Sequence, residues 1–245
     1  MKSFLYHGHK VELYTYEDIP DVPDGVTLMD ANEVLDQSKV FVYGDKIGAG
    51  RGSVAGFANY FRYQMLYHSE DAFWVDMDVL CLKPFEFDQD LVFGWQDEYY
   101  INNAVIGTRK QKHNLFDELI TYCEDPFKIK HWDGWKLSVR KLLRSVVRKN
   151  NTEHIPWGLT GPRALTGYVK KLGLEEYSLR ENKFYPIKLK EWKKIFFEPA
   201  NEIESLISDS YAIHLWHEKM RREKFNKNAH FDTNSIFERL AKRYE

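Results

Sequence analysis

The chain has 245 residues, 43% hydrophobic and 29% charged, with a formal net charge of −2. That balance supports a buried core and excludes intrinsic disorder, while the lack of a basic excess excludes a general nucleic-acid binder, so no nucleic acid is expected as a partner. No stretch approaches about 18 uninterrupted apolar residues and the first positions lack a signal-peptide run, which reads as a cytoplasmic protein that does not span a membrane.

Residues 10 to 16, "KVELYTY", alternate and are rich in β-formers, predicting a strand closed by the Pro and Gly of "DIPDVPDGV". A short helix is expected in "DANEVLDQ". The glycine-rich "YGDKIGAGRGSVAGF" lacks both the Gly-Lys-Ser/Thr ending of a phosphate loop and the spacing of a dinucleotide fingerprint; it reads as a flexible loop, with phosphate binding as the minority alternative. From Ser53, an expected N-cap, to Tyr67, the placement of Phe57, Phe61 and Met65 on one face predicts a helix. Strands are expected in "AFWVDMDVLCL", "LVFGW" and "YINNAVIG", followed by a helix from about His113 to Cys123. The alternation of strands and helices predicts an α/β fold with a largely parallel or mixed sheet. Cys81 lies in an apolar run and Cys123 ends a predicted helix, so both read as reduced thiols.

Residues 128 to 150 carry eight Lys and Arg against one acid, Asp133. Trp135, Val139, Leu142, Leu143 and Val146 share one helical face, and Arg140, Lys141, Arg144 and Arg148 lie off it. Two readings stay open: an amphipathic helix packed on its own domain with a solvated basic face, or a peripheral contact with an anionic membrane at the cytoplasmic face. The last third contains "IPWGLTGPRALTGYV", "AIHLWHEKMRREK" and a closing helix with Ser235 and Glu238 spaced as a capping box. With no repeat and no convincing linker, residues 1–245 read as a single domain carrying a basic helical insertion at about 128–150.

Asp76 and Asp78 interrupt the apolar "FWVDMDVLCL". In an extended segment they would project to the same side at the end of a buried strand, where two carboxylates can share a hard divalent cation. Such a cation can grip a diphosphate and neutralise it as it leaves. Spacing alone is weak evidence, because Asp88 and Asp90 repeat it in the polar "FEFDQDL".

The helix "FANYFRYQMLY" running into "FWVDMDVLCLKPF", then "INNAVIG", "TGPRALT" and "AIHLWHEKMRR", resembles in content and order the DXD glycosyltransferases. These include bacterial capsule and lipopolysaccharide sugar transferases and α-1,4-galactosyltransferases, and the likeness runs from "SFLYHGHKVELYTY" to "SIFERLAKRYE". The resemblance implies a GT-A (nucleotide-diphospho-sugar transferase) fold, a Rossmann-like mixed sheet flanked by helices. It further implies a nucleotide-sugar donor, commonly a UDP-sugar, a Mn2+ or Mg2+ cofactor, and retaining transfer of a hexose to a saccharide or glycolipid acceptor.

On the matching positions, Asp76 and Asp78 correspond to the DXD pair, with Asp78 a metal ligand and Asp76 serving metal and donor. Arg62 matches the arginine that reaches donor sugar or phosphates, Asn103 the asparagine facing the sugar, with Asn102 beside it, and His214 a late metal or pyrophosphate contact. Trp216 is expected to wall the nucleotide pocket, and Asp97 and Glu98 are candidates for acceptor contact, a solvated loop pair being the plainer reading. Asn59 stands where relatives usually carry Asp at the donor sugar, "HSEDAF" replaces a Gly-Gly turn, and His217 replaces an Asn, so that it could share the metal contact. The chain also opens inside the helix that follows the family's first strand, so a missing first strand is expected. Two alternatives remain: a haloacid-dehalogenase-like phosphohydrolase, disfavoured by Leu80 two places after Asp78, and a carbohydrate-binding relative without activity.

Overall fold

The computed structural model describes residues 1–44, 52–147, 155–227 and 229–245. Helix α1 (Lys2–Tyr6) leads into β1 (Val11–Thr15), which pairs in parallel with β2 (Val26–Asp30) in the register Val11 to Val26 through Thr15 to Asp30. The sequence pattern predicts β1 but not β2, whose five residues "VTLMD" lie between turn formers. The helix expected in residues 30–37 is replaced by single 3-10 turns at Ala31–Glu33 and Gln37–Lys39. Asp30 and Asp36 each accept a hydrogen bond from the backbone N–H two residues on, at 2.8 Å, so these side chains hold local turns in place of a longer helix. Residues 45–51 of the glycine-rich segment lie outside the described residues, and with them the phosphate-loop reading.

Helix α2 (Ala55–His68) forms as expected, although Val54 occupies the cap position and Ser53 Oγ accepts from Ala55 N–H at 3.2 Å. It buries Phe57, Phe61 and Met65, and also Asn59 and Arg62. A Cβ on its Gly56 would come within 2.8 Å of the Phe41 and Tyr43 rings, so only glycine permits this approach.

The predicted strand "AFWVDMDVLCL" is broken in two. Strand β3 (Ala72–Val75) ends before Asp76, and β4 (Val79–Cys81) begins after Asp78 in a different sheet. Strands β5 (Leu91–Trp95) and β6 (Ile101–Thr108) follow, then α3 (Asn114–Glu124), α4 (Trp135–Val147) and α5 (Pro162–Leu172). The short β7 (Ser178–Leu179) completes a four-stranded sheet of order β3-β6-β5-β7, in which only the β5–β7 pair is parallel. The sheet is therefore mixed and mainly antiparallel, not largely parallel. Eight consecutive buried residues make β6 its central strand. On β5, Leu91 and Phe93 enter one apolar cluster with α2, α3 and α5, while Val92 enters a second on the other face.

The second cluster is covered by the remaining elements: α6 (Lys194–Phe197), α7 (Ala200–Ile207), β8 (Ala212–His214), α8 (His217–Arg222) and α9 (Ile236–Arg243). Strand β8 pairs antiparallel with β4. At α9 the expected capping box is half formed: Ser235 Oγ accepts from Glu238 N–H at 3.3 Å, but the Glu238 carboxylate accepts from Phe231 N–H. Both ends of the chain meet β4, where Ser3 Oγ accepts from Cys81 N–H and the Tyr244 hydroxyl donates to Cys81 O. Cys81 and Cys123 are buried free thiols, as expected.

Among the described residues the basic segment forms a helix over Trp135–Val147, and Arg148 and Lys149 lie outside them. Its orientation contradicts the reading of an apolar face packed on the domain. Lys141, expected in the solvated basic face, is fully buried, whereas Trp135, Leu142, Leu143 and Val146 are exposed. The cause is an inward polar anchor: Lys141 Nζ sits 2.5 Å from Asp133 Oδ2, 2.7 Å from the Tyr122 hydroxyl and 3.0 Å from Lys128 O. No helix among the described residues is long and apolar enough to cross a membrane.

Candidate active site

The turn from β3 to β4 is where the chain leaves one sheet for another. Asp76 N–H still donates to Ala104 O on β6 at 2.8 Å, and Val79 N–H closes the turn onto Asp76 O at 3.1 Å. Beyond it, Val79 is registered opposite His214 at the end of β8. The side chains of Asp76, Asp78 and His214 therefore converge, with one ligand atom from each within 4.8 Å of the others. Strand alternation predicted the same-side placement of the two aspartates; the structure achieves it by a turn, with the exposed Met77 at its tip.

Asp78 is held through both of its carboxylate oxygens. Its Oδ1 lies 3.2 Å from His214 Nε2 and its Oδ2 accepts from His217 N–H at 2.7 Å. Thus His217 reaches the site through its backbone, while its side chain is exposed. That N–H is aimed by Trp216, whose φ of 59° is a left-handed conformation costing a non-glycine residue roughly 1–2 kcal/mol. Trp216 is held there by burial and by its indole N–H, which donates to Ile187 O at 2.8 Å. Its ring lies 4.2 Å from that of His214, so it acts as a buried wall behind the imidazole. His214 Nδ1 is buried with no hydrogen-bond partner among the described residues, and Asp78 on Nε2 together with aromatic packing against Trp216 and Tyr185 orients the ring.

Asp76 is bound from the opposite side. Arg62 Nη2 lies 3.1 Å from Asp76 Oδ1, and the Trp74 indole N–H donates to the same oxygen at 2.7 Å. The guanidinium also lies over the Trp74 ring at 4.9 Å and donates to Asn103 O and Ala58 O. Arg62 therefore holds Asp76 and the β6 backbone together. Trp74 was not singled out by sequence reading, although its position two residues before Asp76 in a strand places both on one side.

Behind this pair lies an amide network. Asn103 Nδ2 donates to Asn59 Oδ1 at 2.7 Å, and Asn59 Nδ2 donates to Thr160 Oγ1 at 3.2 Å. Gly161, opening α5, packs directly on it: a Cβ there would lie 3.0 Å from Asn59 Nδ2 and 3.1 Å from Asn103 Nδ2. Asn102 points elsewhere, accepting from Ala104 N–H and donating to Gln96. Asp97 closes the β5–β6 turn by accepting from Tyr99 and Tyr100 N–H at 2.9 Å each, and Glu98 is exposed beside it. The plainer loop reading fits these two.

The two carboxylates are driven apart electrostatically. Burial pushes the Asp76 carboxyl above its ordinary range, with Arg62 opposing it. Burial pushes Asp78 upward too, but the charge and hydrogen bond of His214 and the N–H of His217 outweigh it and hold the group at about 2. The surroundings thus favour the ionised form more strongly at Asp78 than at Asp76, where Arg62 is the main group opposing burial.

An α/β protein with two carboxylates and an imidazole gathered at the end of a strand has a donor set suited to manganese or magnesium. Residues 108–244 match the alpha 1,4-glycosyltransferase conserved region, and the chain belongs to that family of glycosyltransferases. The match contains His214 and Trp216, and Asp76 and Asp78 lie upstream of it. Lactosylceramide 4-alpha-galactosyltransferase of Homo sapiens is 28% identical over 166 residues, covering 62% of this chain and 39% of that protein. The protein of the same name from Rattus norvegicus is 27% identical over 159 residues, covering 60% and 36%. The chain thus spans about two-fifths of the length of these curated relatives. No solved structure matches it.

Proposed function

We propose that the protein is a metal-dependent, retaining glycosyltransferase of GT-A type that moves a hexose from a UDP-sugar to a saccharide or glycolipid acceptor. The observation that carries this reading is the convergence of Asp76, Asp78 and His214 in a chain of this family. The relatives' printed name, a galactosyltransferase acting on lactosylceramide, favours galactose and a glycolipid over a capsule or lipopolysaccharide acceptor.

Asp78 and His214 Nε2 would hold a divalent ion, with Asp76 as the third donor; when bound, the ion supplies positive charge against the donor diphosphate. Arg62 holds Asp76 in place and favours its charged form, and the Asn59–Asn103 pair would offer amide groups to sugar hydroxyls. In the reaction the bond from the anomeric carbon to the diphosphate oxygen breaks and one to the acceptor oxygen forms on the same face. The acceptor's hydroxyl proton passes to the departing diphosphate. A haloacid-dehalogenase-like phosphohydrolase is set aside by family membership.

The test is calorimetric titration with UDP, and GDP as a control, with and without manganese, in the parent and in Asp78→Asn. Asparagine keeps an acceptor for His217 N–H, so the turn survives. Manganese-dependent UDP binding that the variant loses supports the reading. UDP binding indifferent to manganese and to the variant refutes the metal site, and binding without turnover of any UDP-hexose and acceptor identifies a non-catalytic relative.

A further inference from the structure

Helix α4 is amphipathic but turned inside out. At about 100° per residue, Leu137, Lys141, Arg144 and Ser145 share the side facing the protein, and Trp135, Val139, Leu142, Leu143 and Val146 share the other. Leu137 packs on the first apolar cluster, and Lys141 is fixed beneath the helix by Asp133, Tyr122 and Lys128. The outward stripe is exposed by 48% at Val139, 57% at Leu142, 59% at Leu143 and 74% at both Trp135 and Val146. A contiguous apolar stripe of this kind marks an interaction surface.

The surroundings of the stripe define the occupant. Lys136 and Arg140 border it, and the 13-residue helix contains no Asp or Glu. The chain as a whole carries a net charge of −2, so this basic border is local. Trp135 stands at the start of the apolar side with Lys136 Nζ 5.6 Å from its ring. Apolar residues flanked by Lys and Arg, with a tryptophan at one end, suit the boundary between headgroups and acyl chains of an anionic bilayer. A protein partner of matching character would need its own acidic, apolar groove, and a second copy would bring two basic borders together.

We infer that α4 is an interfacial helix that docks the protein on an anionic lipid surface, lying in the plane of the membrane with Trp135, Val139, Leu142, Leu143 and Val146 inserted. This contact is independent of the transfer reaction and stands whether or not the Asp76–Asp78–His214 site is active.

The full chain is to be co-sedimented with vesicles of phosphatidylcholine and of phosphatidylcholine mixed with phosphatidylglycerol, across a salt series. Binding is expected on the anionic vesicles, weakening as salt rises. Leu143→Glu combined with Val146→Glu should lower partitioning by at least about tenfold, and Lys136→Gln by about fivefold, since each basic residue near such a surface contributes about 1 kcal/mol. Neither variant should alter thermal unfolding, because all three side chains are exposed. Equal binding to neutral vesicles, salt-independent binding, or no binding by the folded parent overturns the inference. So does lipid-free self-association in sedimentation velocity that the Leu143→Glu, Val146→Glu variant abolishes, which would assign the face to a second copy.

Discussion

Replacing Arg62 with methionine tests whether the arginine acts as the electrostatic partner of Asp76. The Arg62 side chain is 5% exposed and Asp76 29%, and the pair lies 3.1 Å apart. Deleting one member of a buried ion pair costs about 3–5 kcal/mol because the other charge is left uncompensated; the residual exposure of Asp76 places the expected loss near the lower end, about 3 kcal/mol. The sign of the pH dependence follows from Asp76. Burial already raises its pKa in the folded state, and removing the guanidinium raises it further. An acid whose folded pKa is raised destabilises the native state above that pKa, and the penalty disappears as pH falls below its ordinary value of 3.8. Urea unfolding in chelator, followed by tryptophan fluorescence, should therefore show the full deficit at neutral and mildly alkaline pH and a shrinking one in acid. The double variant Arg62→Met, Asp76→Asn should recover most of the loss. A deficit below about 1 kcal/mol, as for a surface pair, or one that is independent of pH and unrecovered in the double variant, would refute this role.

Asn59→Leu should cost about 1–3 kcal/mol in chemical unfolding, because the buried Asn103 amide loses its acceptor. Asn59→Asp keeps that acceptor but buries a carboxylate, so its loss in chemical unfolding should be present at neutral pH and fade in acid. Lys141→Met should cost about 3–5 kcal/mol, since Lys141 and Asp133 both have 0% side-chain exposure. Adding Asp133→Asn should restore much of it by circular-dichroism melts, and failure of that rescue would show that lost packing, not the stranded charge, is responsible.

The sites of α2, β5, β6 and α3 were legible in the sequence because their burial patterns have helical or extended periods. Asp76, Asp78 and His214 were legible as candidates because of their order among resemblant motifs, and the structure brings them together. The boundaries of β3 and β4 were not, since an apolar run continues through both and only the pairing of each half with a different partner strand breaks it. Thr160, a hundred positions from Asn59, carried no local signal of its contact. His217 was noticed for its imidazole, yet its backbone N–H reaches Asp78 because Trp216 turns the chain.

By itself, then, the sequence determined the α/β character, the family likeness, the acidic pair and the amphipathic period of α4. Which way α4 faces was decided only by tertiary structure. Periodicity shows that apolar residues share a side, but Asp133 and Tyr122 lie outside the helix, and their grip on Lys141 turns the apolar side outward. The opposite pKa shifts of Asp76 and Asp78 have the same origin: the two residues are chemically identical and burial raises both, but only the fold gives Asp78 an imidazole and a backbone N–H that outweigh it, whereas Arg62 opposes it at Asp76 without reversing it.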